Sequence, residues 1–165
     1  MNTDRSVESP HFPQVGHDHA RCQSWILQRA EVRCRQEGMR FIPQRREVLE
    51  ILATSHRSLG AYDILERMQA RARRPPPAAV YRSLEFLLGL GLIHRMAGRN
   101  TYFACTRSDH DQQIQFWICR HCGMVGETES PVVAGEWQRL SDSLGFRVSS
   151  VNVEIEGECI TCRNP

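Results

Sequence analysis

Apolar residues recur along this chain with two periods, and the change of period divides it. In the first half the spacing is helical. "CQSWILQRAEVRCRQE", from about Cys22 to Glu37, sets Trp25, Ile26 and Val32 with Arg29 and Arg33 on a mixed face and stops at Gly38. "IPQRREVLEILATS" opens with Pro43 at a helix start and carries Val48, Leu49, Ile51 and Leu52 as its apolar set. "SLGAYDILERMQARA" turns Ile64, Leu65 and Met68 inward. "RRPPP" breaks the chain, and "AAVYRSLEFLLGLGLI" resumes with Val80, Leu84, Leu87 and Leu88 at helical spacing before Gly89 and Gly91 close it. The period then shortens. "LIHRMAGRNTYFAC" alternates about the turn "AGRN", the pattern of a β-hairpin.

Three helices, a fourth ending in glycine and then a hairpin is the order of a winged helix-turn-helix. In such a domain the third helix crosses the DNA backbone, the fourth enters the major groove and the hairpin is the wing. Polar residues "TRSDHD" follow as a linker. "IQFWIC" and "MVGETE" predict two strands. "VVAGEWQRLSDSLGF" predicts a helix with Val133, Trp137, Leu140 and Leu144 on one face and Gly145 as its stop. "RVSSVNVEIEGEC" alternates as an imperfect strand. The expected fold class is α+β: an N-terminal winged helix-turn-helix, then a small α/β dimerisation domain with structural zinc. The expected boundaries are a disordered tail over 1–20, a DNA-binding domain over 21–104 and a dimerisation and metal-binding domain over 105–165. Open strand edges in the second domain would pair with another copy, so a homodimer is expected.

The net charge of +2 conceals an asymmetry. Residues 1–100 hold 16 arginines against 10 acidic residues, and residues 101–165 hold 5 against 9. The first half suits a polyanion and the second does not. No apolar run reaches the roughly 18 residues that a membrane span needs. The first residues lack the basic-then-apolar layout of a secretory signal. The expected location is therefore cytoplasmic, where seven cysteines are metal ligands or redox thiols rather than disulfides.

Four of those cysteines form two Cys-x-x-Cys pairs, Cys119 with Cys122 and Cys159 with Cys162. Each pair presents two sulfurs at the bite of a tetrahedral ion, and two pairs complete a closed zinc site. A strand, a helix and a strand fill the interval, so zinc there would pin the last strand to the first. A closed site of this kind holds a fold and performs no chemistry. The competing reading is a redox dithiol pair. A second group of ligand-type residues gathers at the junction of the two domains: His94, Cys105, Asp109, His110, Asp111, His121 and Glu127. A metal held by several of them would fix the domains' relative orientation, as a sensor requires. No HExxH motif accompanies an open metal position, so a zinc enzyme is disfavoured.

"FIPQRREVLEIL", "AYDIL", "VYRSLEFLLGLGLIHR" and "ICRHCG" with "CITC" together resemble the ferric uptake regulator superfamily over roughly residues 22–163, and within it the zinc uptake regulators. The resemblance implies a dimeric, metal-activated repressor that binds a pseudo-palindromic operator in double-stranded DNA. It implies Cys119, Cys122, Cys159 and Cys162 as structural zinc ligands. It also implies a sensing zinc at His94, Cys105, His110 and Glu127, with Asp109 or Asp111 as alternatives to His110, for about two zinc ions per chain. Tyr62, Tyr81 and Arg82 match the family's DNA-contacting motifs. Ala79 stands where the family usually has threonine, so a hydroxyl near the helix start is missing. A thiolate in the sensing set favours zinc over iron or manganese. An iron or peroxide sensor of the same superfamily is the nearest alternative, and a zinc or thiol redox protein a more distant one.

Overall fold

The computed structural model describes residues 19–71, 75–107, 114–149 and 151–163. The chain divides into two compact units, one within Val15–Ser108 and one within Asp109–Pro165. The first holds four helices, α1 (His19–Gln36), α2 (Pro43–Ala53), α3 (Ala61–Ala70) and α4 (Pro77–Gly89), then strands β1 (Ile93–Met96) and β2 (Thr101–Ala104). The expected order of a winged helix-turn-helix is the order observed.

The starts of α2, α3 and α4 each have a local cause. Proline occupies the first turn of α2 and of α4, where a missing N–H costs nothing. At α3 the carboxylate of Asp63 reaches back to the N–H of Gly60, 2.9 Å away. That bond satisfies an otherwise orphaned donor at the helix start. Gly38 and Gly91 both lie in the left-handed region, with φ of 63° and 66°, where they stop the helices before them.

The core of this unit follows the sequence pattern in α2, α3 and α4. Val48, Leu49, Ile51, Leu52, Ile64, Met68, Val80, Leu84 and Leu87 are all buried. Truncating any one of the large ones to alanine removes about 2–5 kcal/mol of stability. The first helix differs from expectation. Its buried line is Ile26, Ala30 and Cys34, one every fourth residue, while Trp25 and Val32 stand exposed. Burial and the small size of Ala30 and Cys34 hid that line from a reading weighted towards large apolar residues. Burial also raises the Cys34 thiol above its usual range, in keeping with a packing role.

The wing is antiparallel, pairing Ile93 with Ala104 and His94 with Phe103, and it turns through Ala97–Asn100. Asn100, at φ 50°, takes the left-handed position and its Oδ1 accepts from Arg95 at 2.8 Å. A single bridge adds Leu59, between α2 and α3, to the outer side of Tyr102 through two backbone bonds of 2.8 and 2.9 Å.

The second unit is a three-stranded sheet with one long helix. β3 (Ile114–Cys119) is central, β4 (Val125–Glu129) pairs with it antiparallel, and β5 (Val153–Gly157) pairs with it parallel. The parallel pair needs a crossover, and α5 (Pro131–Leu144) supplies it. Ser130 caps that helix by accepting from the Val133 N–H, and Gly145 ends it at φ 61°. The last strand is shorter than its alternation suggests: residues 147–149 and 151–152 are not strand. A short helix, α6 (Ile160–Arg163), follows β5 and has no counterpart in the sequence reading. The apolar face expected on α5 exists, but this chain does not bury it. Trp137, Leu140 and Leu144 are 41%, 38% and 77% exposed.

Candidate functional site: clustered thiols, a wing-borne ligand pair and an exposed helix face

The register of the second sheet brings its two Cys-x-x-Cys turns together. Cys119 ends β3 opposite Gly157, which ends β5 two residues before Cys159. The Arg120 N–H donates to the Gly157 carbonyl at 2.9 Å and continues the ladder past the strand end. Gly123, at φ 71°, lets the first turn fold back so that its N–H donates to Cys119 O at 3.0 Å. The short α6 does the same for the second pair: the N–H groups of Cys162 and Arg163 both donate to Cys159 O at 3.0 Å.

The four sulfurs of Cys119, Cys122, Cys159 and Cys162 lie within 4.8 Å of one another. Cys122 Sγ and Cys159 Sγ are 3.8 Å apart, and all four thiols are free. A tetrahedral ion with metal–sulfur bonds of about 2.3 Å requires sulfur–sulfur edges of about 3.8 Å. A disulfide requires about 2.05 Å. The spacing fits a four-thiolate zinc site, and no two of these sulfurs are bonded to each other.

The electrostatics point the same way. Burial works to raise the Cys119 thiol, but backbone N–H groups of Cys122, Cys159 and His121 outweigh it and bring it down to about 6. One of these is the Cys159 N–H, 3.4 Å from the sulfur. Cys162 is pushed up to about 12, first by its hydrogen bond with Cys159 and then by burial. Burial likewise raises Cys122. The cage stabilises the Cys119 thiolate unaided and resists ionisation of Cys122 and Cys162, a resistance that a bound dication would overcome.

A contact that sequence reasoning missed supports this cage from outside. His121 Nε2 and Glu158 Oε1 are 2.9 Å apart, each residue adjoining a cysteine of a different pair. The imidazole holds the Glu158 carboxyl below its usual range, mainly through this bond. His121 thus belongs to the thiol site and not to the junction group in which its sequence neighbourhood placed it.

The other candidate ligands divide between the units. His94 on β1 and Cys105 just beyond β2 face each other across the wing, with ligand atoms within 4.8 Å. The Cys105 N–H donates to Leu92 O at 3.0 Å, extending the ladder by one step and fixing the thiol beside the imidazole. Cys105 is fully buried and His94 partly so. In the second unit Glu127 sits on β4 opposite Phe116, with a side chain only 2% exposed. A carboxylate buried that far requires compensation by donors or a cation. His110, with Asp109 and Asp111, lies outside the described residues.

The residues expected to meet DNA are accessible. Tyr62, in the first turn of α3, is 71% exposed, and Tyr81 on α4 is 38% exposed next to exposed Arg82. Their neighbours Ala61 and Val80 turn into the core, so the two helices present these side chains while α2 supports them from behind. Ala79 is buried at the third position of α4, and its carbonyl accepts from the Ser83 hydroxyl at 2.9 Å. A threonine at this position would sit against the core, so the alanine leaves the exposed face of α4 intact.

Comparison with known proteins bears on both units. Residues 36–156 match the model of the ferric uptake regulator family. The zinc uptake regulation protein of Escherichia coli (strain K12) is 32% identical over 138 residues, covering 83% of this chain and 81% of that one. The peroxide operon regulator of Bacillus subtilis (strain 168) is 28% identical over 130 residues, covering 78% and 87%. A solved zinc uptake regulator complexed with zinc and DNA superposes with a TM-score of 0.80 at 30% identity, over 86% of this chain and 95% of that one. The holo form of XcZur superposes with a TM-score of 0.77 at 27% identity, over 87% and 99%. With the family model matched over residues 36–156 and a zinc uptake regulation protein 32% identical over 83% of its length, the chain belongs to the ferric uptake regulator family.

Proposed function

We propose that this protein is a zinc-responsive transcriptional repressor that binds operator DNA as a metal-loaded homodimer and controls zinc-uptake genes. The observation that carries the reading is its similarity, over 86% of its length, to a zinc uptake regulator complexed with zinc and DNA. The chemistry of the chain agrees. Arginines are concentrated in residues 1–100, as a phosphate-binding surface requires. The wing pairs a thiol with an imidazole, a softer set than the oxygen-rich ligation that suits iron or manganese. The activity is binding and not catalysis, and it belongs in the cytoplasm with the DNA.

Two zinc ions per chain have distinct roles in this reading. Cys119, Cys122, Cys159 and Cys162 would hold a structural ion that ties β5 to β3. His94, Cys105 and Glu127, with His110 as the loop ligand, would hold a regulatory ion that favours the DNA-competent arrangement of the 21–104 and 105–165 domains. Zinc acts here only through its higher affinity for that arrangement. Tyr62, Tyr81 and Arg82 would contact the duplex, with Arg82 able to read guanine edges in the major groove. The apolar stripe of α5 would be covered by a second copy.

The deciding experiment measures binding to a duplex selected from a random pool, after mild chelation and return of one metal at a time. Recovery with zinc at lower free concentration than with iron(II) or manganese(II) supports the reading. Recovery with iron or manganese alone moves the protein to the iron or peroxide sensors.

A further inference from the structure

The open end of the wing is held by a side chain from a distant part of the chain. Arg29 on α1 donates through Nη2 to the Gly91 carbonyl at 3.3 Å, and through Nη1 to the Arg107 carbonyl. Gly91 lies two residues before the start of the strand that carries His94. Arg107 lies two residues beyond Cys105, on the other leg of the hairpin. One planar guanidinium therefore spans both legs of the hairpin. The Arg107 carbonyl is shared: Cys105 Sγ also reaches it, at 3.4 Å. The guanidinium is itself located by Trp25, one turn back on α1, whose ring centroid lies 5.1 Å from Arg29 Cζ.

The fork serves two backbone carbonyls at the hairpin mouth, where the β1–β2 ladder has ended. Arg29 is half-buried, and its two forked donors fix the spacing of two chain segments. Trp25, exposed and so useless to the core, acquires a role as the plate on which that fork rests.

We infer that Arg29 is a positioning residue for the regulatory metal. By clamping Gly91 to Arg107 it holds the wing in the register at which His94 and Cys105 present their ligand atoms together. This rests on the reading of His94 and Cys105 as metal ligands. Outer partners that orient ligands typically change metal affinity by about 10–100-fold when removed.

The test uses the full chain with zinc retained in the four-cysteine site and cobalt(II) offered as the probe of the second site. Three variants are compared: Arg29→Met, which keeps the stem and removes the fork; Arg29→Lys, which keeps the charge and can serve one carbonyl at a time; and Cys105→Ser. The expected results are an affinity for the exchangeable metal about 10–100-fold lower in Arg29→Met, partial recovery in Arg29→Lys, and an altered thiolate-to-cobalt absorption band in both. Metal-free melting is measured alongside, since a merely structural arginine would shift that midpoint and leave the band of the folded protein unchanged. If Cys105→Ser abolishes the band while Arg29→Met leaves affinity and spectrum as in the parent, the inference about Arg29 is overturned. If Cys105→Ser itself leaves the band unchanged, the ligand assignment fails instead. Should Arg29→Met not fold, Arg29→Lys decides alone, and parental affinity and spectrum in that variant overturn the inference.

Discussion

The imidazole of His121 meets the carboxylate of Glu158 at 2.9 Å, joining the two Cys-x-x-Cys turns from outside the thiols. Both side chains are substantially exposed, so solvent screens the pair and its effect on global stability is small. Its effect on the site is geometric. It holds the two turns together while any one sulfur is detached. Glu158→Gln and His121→Ala should therefore release the structural zinc several-fold faster to a competing chelator, with little change in melting temperature. Equal release rates in parent and variants would remove the pair from the site.

The two zinc roles separate by mutation. Cys119 ends the central strand and faces the turn after β5, so Cys119→Ser should unfold the second unit or abolish dimerisation, with loss of its circular dichroism and of the tightly held zinc. Cys105→Ser should give a folded dimer whose DNA binding no longer follows zinc. A zinc response unchanged in Cys105→Ser would reject the sensing assignment.

The stripe formed by Trp137, Leu140 and Leu144 on α5 is 41%, 38% and 77% exposed in a single chain. Apolar area of this kind is covered in the functional state. Leu144→Glu should shift sedimentation from dimer to monomer while leaving the first unit's melting unchanged. A dimer of parental affinity would place the interface elsewhere.

Arg82 is exposed on α4 beside Tyr81. Arg82→Ala should weaken operator binding by about 1–3 kcal/mol and relax sequence preference if the side chain reads a base. If it contacts phosphate, binding falls uniformly and the salt slope decreases by about one. Fluorescence anisotropy across salt concentrations distinguishes these outcomes from no change, which would take Arg82 off the interface.

A pH dependence follows from the link between α1 and α2. The hydrogen bond and charge of Arg46 hold the Glu31 carboxyl below its ordinary value of 4.5. A carboxylate lowered in the folded state contributes stability above its unfolded value, and the contribution is lost as pH falls through the lowered one. The difference in melting temperature between the parent and Glu31→Gln should thus be largest near neutrality, small throughout because the pair is exposed, and absent in acid.

The legible parts of this protein were those written in local periodicity. Val48, Leu49, Ile51 and Leu52 declared α2, the alternation about "AGRN" declared the wing, and the cysteine spacing declared four thiols that cluster. What was hidden depended on contacts distant in sequence. The Leu59–Tyr102 bridge is a single residue long, too short for any period. The buried line of α1 uses Ala30 and Cys34, whose small side chains carry little hydrophobic signal. The His121–Glu158 and Arg29 contacts join residues 37 to 78 positions apart, and no local rule predicts them. The β1–β2 register itself brings together two of the four expected sensing ligands, His94 and Cys105.

The most direct test of the account is zinc content per chain by elemental mass spectrometry, before and after mild chelation, with DNA binding measured on the same samples. About two zinc ions per chain are expected, one removed readily and DNA binding lost with it, the other retained by the four cysteines. A single tightly held zinc, with DNA binding indifferent to the chelator, would leave the thiol cage standing and contradict the zinc-responsive repressor.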